Sequence, residues 1–180
     1  SYSPRFRLFP TTEQREAMDW QRNTVRQLYN HALNEFNQIP ENVGTLRQHV
    51  WMVRDTLPEI KDWWPDLNQV YSTVLQKAVE RIRDKIQNLG KLKAKGYDVG
   101  SLNWKKPRDF RSFTYRQSGL ELDKKSGPNG RGLLILKKLK SKTREIPIRL
   151  HRDLPDHDSI KEVTLKKEAS GAWYVSFCIE

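Results

Sequence analysis

Residues 5–14 read Arg-Phe-Arg-Leu-Phe-Pro-Thr-Thr-Glu-Gln and predict a strand that is followed at once by a helix. Basic and apolar residues alternate over 5–9, which is the period of a strand with one buried face. Pro10 ends that strand. Thr11 and Gln14 then have the spacing of a capping box, a common helix start. The chain therefore opens with a β-strand, and helices come next.

Two helices are predicted before residue 60. In the first, apolar residues recur at the three-and-four spacing of an amphipathic helix from Val25 to Phe36, and Pro40 breaks it. Thr45 and Gln48 form a second possible capping box, so a short second helix follows and stops before Pro58.

A third, longer helix is predicted after a turn at Asp62-Trp63-Trp64-Pro65. Asp66 can cap it, an apolar stripe runs from Val70 to Ile86, and Gly90 is a plausible end. The two tryptophans of the turn are expected to be core residues, because large aromatic side chains are highly buried on average. If they are exposed, they could instead serve contact with another protein.

From residue 111 onward the pattern changes to short strands separated by turns. Six strands are predicted, over 111–117, 119–123, 132–138, 144–150, 160–167 and 172–180. Strands at both ends of the chain can close one sheet, with the helices inserted between them. The sequence thus predicts an α+β fold, an antiparallel β-barrel with an inserted helical lobe of about three helices.

Positive charge is concentrated in one part of the chain. The 180 residues carry 33 Lys and Arg against 22 Asp and Glu, a net charge of +11. The stretch 81–152 alone holds 21 basic and 6 acidic residues, and the remainder has a net charge of −4. Such a block attracts polyanions, since each phosphate contact releases counterions from a nucleic acid. We expect a nucleic-acid partner here, although a solvated face would carry the same composition.

The stretch 105–117 interleaves cations with aromatic and hydrogen-bonding residues. Cations can hold phosphates, aromatic rings can stack on exposed bases, and Thr and Gln can reach base edges. Phe110 and Phe113 fit a β-strand core better than a ligand surface. The five cations favour nucleic-acid contact; they are Lys105, Lys106, Arg108, Arg111 and Arg116.

Other chemistries have little support. Cys178 is the only cysteine, so neither a disulfide within the chain nor a cysteine-based zinc site is possible. The four histidines are scattered without ligand-like spacing. Asp153, Asp156 and Asp158 lie close together, but Asp and Pro are common in turns and a metal site there is disfavoured. No apolar run approaches a membrane span, and a cytoplasmic protein is expected.

Five stretches, in the right order, resemble signatures of the TnpB (OrfB) family of transposon-associated RNA-guided endonucleases. They are Arg5–Thr11 with Glu13-Gln14, Tyr29–Leu33, Val74–Gln76, Lys105–Arg108 with Arg111–Tyr115, and Ile160–Glu180. The resemblance implies a wedge domain, an oligonucleotide-binding-like barrel formed by 1–10 and 98–180. It also implies a helical recognition lobe formed by 11–97.

The resemblance further implies partners and contacts. In this family these parts hold a structured guide RNA and read a short motif in double-stranded DNA beside the target. By position, Gln76 matches a glutamine that contacts this motif, and Thr114 to Gln117 approximate contacts from the wedge. Together with the charge block, the predicted nucleic-acid contacts are Arg5, Arg7, Gln76, Lys77, Arg81, Lys91, Lys93, Lys95, Lys105, Lys106, Arg108, Arg111, Thr114, Tyr115, Arg116, Gln117, Lys137 and Lys138.

The sequence also departs from the family. TnpB proteins continue into a RuvC-like nuclease domain with an Asp-Glu-Asp metal site and a zinc ribbon, and this sequence ends at Glu180. We therefore expect binding without catalysis, cofactor or metal. Two alternatives stay open: a fragment of an active RNA-guided endonuclease, and a truncated regulatory repressor that binds DNA or RNA.

Overall fold

Both predicted capping boxes are present in the computed structural model, which describes residues 3–180. Thr11 Oγ1 accepts from the Gln14 amide at 3.2 Å, and Gln14 Oε1 accepts from the Thr11 amide at 3.0 Å. Gln14 Nε2 also donates to the carbonyl of Glu145 at 2.8 Å, so the cap ties the first helix to the barrel. The Thr45–Gln48 box closes in the same way.

Within the described residues, four helices and seven strands follow from this start. The helices are α1 (Thr12–Asn37), α2 (Leu46–Arg54), α3 (Leu57–Trp63) and α4 (Ser72–Ala94). The strands are β1 (Arg5–Arg7), β2 (Ser112–Arg116), β3 (Leu120–Asp123), β4 (Gly132–Leu136), β5 (Glu145–Ile148), β6 (Ile160–Lys167) and β7 (Trp173–Ile179). The predicted wedge range 1–10 includes residues 1 and 2, which lie outside the described residues.

The strands form two antiparallel sheets, ordered β1-β7-β6-β2 and β3-β4-β5. On one side, Leu8 bridges Ile148, and the Phe9 amide donates to the carbonyl of Pro147 at 2.8 Å. On the other side, the Lys137 amide donates to the carbonyl of Gly119 at 3.0 Å, in the turn that joins β2 to β3. The sheets therefore make a nearly closed barrel, and the predicted α+β fold with an inserted helical lobe is confirmed.

One continuous core joins the barrel to the helices. Phe6, Trp173 and Phe177 are fully buried in the barrel, and Leu28 and Leu75 are fully buried in the lobe. Phe110 and Phe113 belong to this core, as predicted. Helix α4 packs against both α1 and β2, so it couples the lobe to the barrel.

The helical lobe differs from the sequence prediction in three places. Helix α3 was not predicted because Pro58 was read as a stop, but proline is tolerated in a first helical turn. Asp66 does not cap α4: it lies in the 3₁₀ turn Pro65–Gln69, and α4 begins at Ser72. Gly90 lies inside α4, which ends before Gly96, a glycine with φ +91°.

The prediction that Trp63 is a core residue is wrong, since 59% of its surface is exposed. Trp64 is half-buried and stacks on Trp63 with 6.2 Å between ring centroids. His31 meets the Trp63 ring edge-on at 5.2 Å. Among residues 3–180, every helix is too short or too polar to cross a membrane.

Candidate nucleic-acid interface

A basic groove runs between helix α1, the segment before β2 and the β6–β7 hairpin. It consists of two adjoining hollows of about 560 and 240 Å³ that share Lys167. We call it the hairpin groove, and its charged lining residues are Arg7, Arg15, Asp19, Arg22, Arg108, Arg111, Lys167 and Glu168. Six of these eight are cations, drawn from four separate parts of the chain, so the groove favours an anionic ligand.

Two of the six cations in the hairpin groove are used by the protein itself. Lys167 Nζ lies 2.9 and 3.0 Å from the two carboxylate oxygens of Asp19. Arg22 Nη2 lies 3.1 Å from the same carboxylate, and its Nη1 donates to the carbonyls of Pro107 and Phe110 at 2.8 and 3.0 Å. Arg22 and Lys167 therefore have a structural role in the hairpin groove.

The other four cations are exposed arginines: Arg7, Arg15, Arg108 and Arg111. Within the part of the chain that the structure describes, none of the four forms an ion pair with a carboxylate. A guanidinium presents a planar fork of donors that matches a phosphate. The hairpin groove thus brings together three predicted contacts, Arg7, Arg108 and Arg111, with their charges uncompensated.

Four polar side chains of α1, spaced four residues apart, hold the segment 104–110 that carries predicted contacts. Asn30 donates to the carbonyl of Lys105 at 3.0 Å and accepts from its amide at 2.8 Å. Arg26 donates to the same carbonyl at 3.0 Å, and Asn34 accepts from the Trp104 indole at 3.0 Å. Side chains at i and i+4 share one helix face. Arg22, Arg26, Asn30 and Asn34 form what we call the α1 clamp.

Three predicted contact cations lie instead between α4 and the barrel. Lys77 Nζ is 3.0 Å from the Glu162 carboxylate, and Arg116 Nη2 is 3.0 Å from both oxygens of Glu80. Arg81 donates to the carbonyl of Ser112 at 3.1 Å, and its guanidinium lies 4.2 Å from the centre of the Phe110 ring. These cations therefore hold α4 against the barrel.

Arg81 is the most strongly enclosed of these cations. Burial lowers the pKa of its guanidinium, and the nearby Tyr29 and Asp84 act in the opposite direction. The phenol of Tyr29 is itself buried, and this burial raises its pKa, whereas Arg81 lowers it.

The predicted contact by the Tyr115 ring is wrong for this structure, because Tyr115 is fully buried. Its hydroxyl accepts from Gln21 Nε2 at 3.1 Å and donates to the carbonyl of Lys137 at 3.1 Å. Burial raises the pKa of this phenol well above its ordinary value, against smaller opposing effects of Gln21 and Arg144. Tyr115 is thus a core side chain whose polar end has found partners.

Three other predicted contacts, Thr114, Gln117 and Arg5, also bind groups of the protein itself. Thr114 Oγ1 lies 2.9 Å from Thr164 Oγ1 across the β2–β6 pair. Gln117 Nε2 donates to the carbonyl of His157 at 2.8 Å. Arg5 pairs with Glu168 and lies 3.9 Å from the centre of the Tyr174 ring.

The remaining predicted lysines lie at three separate places. Lys91, Lys93 and Lys95 are exposed on the last turns of α4. Lys106 is exposed and Lys105 half-buried in the clamped segment. Lys137 and Lys138 are exposed after β4; Lys137 Nζ lies 5.8 Å from the centre of the Tyr71 ring, and Lys138 Nζ donates to the carbonyl of Asn68 at 3.2 Å.

Gln76 lines a second groove, at the start of α4. This hollow of about 450 Å³ also contains Arg54, Lys61 and Ser72. Two cations and one carboxylate, that of Asp55, thus line the groove together with a half-buried glutamine amide, and this arrangement suits a polar ligand.

Several lining residues were missed from the sequence: Arg15, Arg22 and Lys167 of the hairpin groove, and Arg54 and Lys61 beside Gln76. The four-residue spacing of the α1 clamp was a readable signal of one polar helix face. By contrast, no local pattern relates Lys167 to Arg108, since the hairpin and the clamped segment meet only in the folded chain.

The aspartates at 153, 156 and 158 lie between β5 and β6. Asp156 Oδ1 is 3.2 Å from Lys124 Nζ, and the imidazole of His157 lies 3.0 Å from the carbonyl of Leu120. Over residues 3–180, no group of three His, Cys, Asp or Glu side chains is arranged to hold a metal ion.

Residues 3–41 match the family model of the OrfB IS605 helix-turn-helix domain. No curated protein matches the chain. The matched range holds β1 and α1, and it ends before α2 begins at Leu46. One long helix therefore lies within it, and any second helix of a helix-turn-helix pair lies beyond it.

The match indicates a DNA-binding, transposon-associated protein, and the uncompensated arginines of the hairpin groove suit that role. Over residues 3–41, the match supports the predicted resemblance of this chain to the TnpB/OrfB (IS605) family.

Proposed function

We propose that this chain is the nucleic-acid-binding module of a TnpB-like transposon protein, which binds a guide RNA scaffold and target-adjacent DNA. The observation that supports it most is the hairpin groove. Four exposed arginines converge there without an acidic partner among the described residues, although exposed Asp and Glu residues occur elsewhere in the chain. A groove of this kind attracts a phosphate backbone and gives binding a steep salt dependence.

Within the proposal, the hairpin groove holds nucleic-acid backbone. Arg7 on β1 and Arg15 on α1 line one hollow, and Arg108 and Arg111 line the other. Arg111 Nε donates to the carbonyl of Arg108 at 2.9 Å, and this hydrogen bond leaves the two Nη groups as further donors. Backbone contacts of this kind position a ligand and carry no sequence information.

Base reading is assigned in the proposal to the groove at Gln76. An amide can donate to and accept from one base edge at once, as glutamine does with adenine. Arg54 and Lys61 line the same groove and can hold the phosphates on either side. Replacing Gln76 with Ala is expected to weaken the preference for one target-adjacent sequence by about 5-fold to 100-fold. Binding of unrelated duplexes should stay unchanged.

A charge-matched comparison tests the backbone assignment. The variant Arg108→Gln/Arg111→Gln removes two groove charges, and Lys124→Gln/Lys125→Gln removes two exposed charges elsewhere. If each arginine neutralises a phosphate, the first variant lowers the slope of log Kd against log salt by about 1.4–1.8. The control variant should keep the wild-type slope. Equal slopes for both variants would show that the hairpin groove is not part of the binding surface.

The RNA partner is tested by purification from the native cells. Crosslinking the protein, recovering the bound RNA and sequencing it is expected to return one structured RNA species. Recovery of RNA in proportion to cellular abundance would contradict a dedicated guide scaffold.

The proposal assigns binding to this chain and no cleavage step. A supercoiled plasmid carrying the matching target, incubated with the protein, its RNA and Mg²⁺, is expected to stay supercoiled. Nicked or linear plasmid that depends on the protein would show that the chain also cuts.

A further inference from the structure

The α1 clamp holds an exposed tryptophan, Trp104, in place. Trp104 is 62% exposed. Its indole Nε1 donates to Asn34 Oδ1 at 3.0 Å, and the next residue, Lys105, is held through both backbone groups by Asn30. Among residues 3–180, no aromatic ring and no cation stacks on the Trp104 ring. The indole is thus held at its edge, and most of the side chain meets solvent.

Positive charge adjoins this indole along the chain. Lys105 and Lys106 follow it directly, and neither forms an ion pair within the described residues. The ammonium groups next to Trp104 in the chain are therefore not neutralised by a carboxylate.

An aromatic ring of this kind has a cost for a protein in water. Large apolar groups are normally buried, and an ordered exposed indole forgoes that gain. Here two asparagines and two arginines of α1 keep the indole and its segment in place. This arrangement is expected of a contact surface that is organised before its ligand arrives.

We propose that Trp104 is a stacking platform for one unpaired nucleobase of a single strand, with Lys105 and Lys106 holding the adjacent phosphates. This inference rests on the proposed nucleic-acid binding and adds a specific base contact to it. Bases stack on aromatic rings whatever their identity, and flanking cations follow the backbone, so the site accepts RNA and DNA single strands alike. A duplex presents no free base face, and the site does not distinguish duplexes.

The other strongly exposed tryptophan, Trp63, serves as the matched control. Its ring is met by His31 at 5.2 Å and by Trp64 at 6.2 Å, so its surroundings are already aromatic. It is 59% exposed, nearly the same as Trp104. Replacing either tryptophan removes a similar area of exposed ring, but only Trp104 adjoins the lysines of the clamped segment.

The experiment measures binding of the full chain to four fluorescent ligands of equal length. They are a single-stranded RNA, a single-stranded DNA, a duplex, and a strand with the same phosphates but without bases. Trp104→Ala is expected to weaken binding of both base-bearing single strands by about 5-fold to 100-fold. Binding of the duplex and of the baseless strand should change by less than about 2-fold, because their phosphate contacts remain.

Two further variants sharpen the result. Trp104→Phe keeps a smaller ring and should lose less affinity than Trp104→Ala. Trp63→Ala should bind all four ligands like the wild type. A loss for RNA alone would assign the site to RNA, and a loss for DNA alone would assign it to DNA.

Three results would overturn the inference. They are unchanged single-strand binding by Trp104→Ala, an equal loss in Trp63→Ala, and a loss that persists on the baseless strand. In these cases wild-type binding with its salt dependence still supports the proposed function. If the wild type binds none of the ligands, the proposed function fails and this inference fails with it.

Discussion

The cations of this protein fall into two regions with opposite behaviour. Between α4 and the barrel, Lys77, Arg81 and Arg116 reach a carboxylate or a backbone carbonyl within 3.1 Å. In the hairpin groove, four arginines have no carboxylate partner among the described residues. Arg111 and Arg116 lie only five positions apart in the sequence, yet they belong to different regions.

The difference shows that a charge block does not identify a ligand surface by itself. Arg116 is on β2, which faces α4, and Glu80 is placed to meet it. Arg111 precedes that strand and lines the hairpin groove, whose two acidic residues, Glu168 and Asp19, are already paired with Arg5 and Lys167. What separates a structural cation from a candidate ligand contact is therefore the partner that the fold provides.

The largest expected effect lies in the interface between α4 and the barrel. Tyr115→Ala should lower the free energy of unfolding by about 3–5 kcal/mol, because it leaves a cavity where a fully buried ring stood. A denaturant titration measures it. Tyr115→Phe keeps the ring and should lower the free energy of unfolding by only about 1–2 kcal/mol, because Gln21 Nε2 and the Lys137 carbonyl lose their hydrogen bonds to the hydroxyl. A Tyr115→Ala variant that is as stable as the wild type but binds nucleic acid poorly would show that Tyr115 contacts the ligand.

A substitution in the α1 clamp is expected to lower both the stability of the protein and its affinity for nucleic acid. Asn30→Ala removes two hydrogen bonds to the Lys105 backbone and should lower the free energy of unfolding by about 1–3 kcal/mol. It should also weaken nucleic-acid binding, because the segment 104–110 loses its fixed position. Asn34→Ala is the control of the same residue type: it frees only the Trp104 indole and should be nearly as stable as the wild type.

Stability is expected to fall in alkaline solution. Burial raises the pKa of the Tyr115 and Tyr29 phenols above the ordinary value of about 10, so the unfolded chain releases these protons first. Their contribution is complete below pH 10 and is lost as the pH rises, with a slope of at most ~1.4 kcal/mol per pH unit for each phenol. Tyr115→Phe should flatten this fall, and Tyr97→Phe, at an exposed site, should not. Equal slopes in both variants would contradict buried, neutral phenols.

The smallest expected effect comes from the ion pairs of the interface. Lys77→Gln/Arg116→Gln breaks two partly exposed pairs and should cost about 0.2–1 kcal/mol of unfolding free energy for each. A thermal or denaturant melt measures the loss, which should shrink in high salt because salt screens exposed charges.

Local signals in the sequence predicted much of the fold. The capping boxes at Thr11 and Thr45 need only residues three apart, and each strand prediction needs only a short alternation. The errors in the helical lobe have the same local origin. Pro58 and Gly90 were read as stops, but proline is accepted in a first turn, and a glycine on an exposed helix face costs only about 1 kcal/mol relative to alanine.

The candidate site was less predictable, because its residues are distant in the sequence. Arg7, Arg15, Arg108 and Lys167 meet only after β1 pairs with β7 and α1 packs beside the hairpin. Sequence reasoning also could not foresee that Tyr115 finds Gln21 across the core, which made it look like a ligand contact. The clamp spacing along α1 was visible, but its partner segment was not.

The central claim is that the two cation regions have separate functions, and one comparison of variants tests it. Arg108→Gln/Arg111→Gln and Lys77→Gln/Arg116→Gln each remove two positive charges, and each is measured for its slope of log Kd against log salt. The first should lower the slope by about 1.4–1.8, and the second should leave it unchanged. Equal slopes for the two variants, or a change in the second alone, would contradict the division.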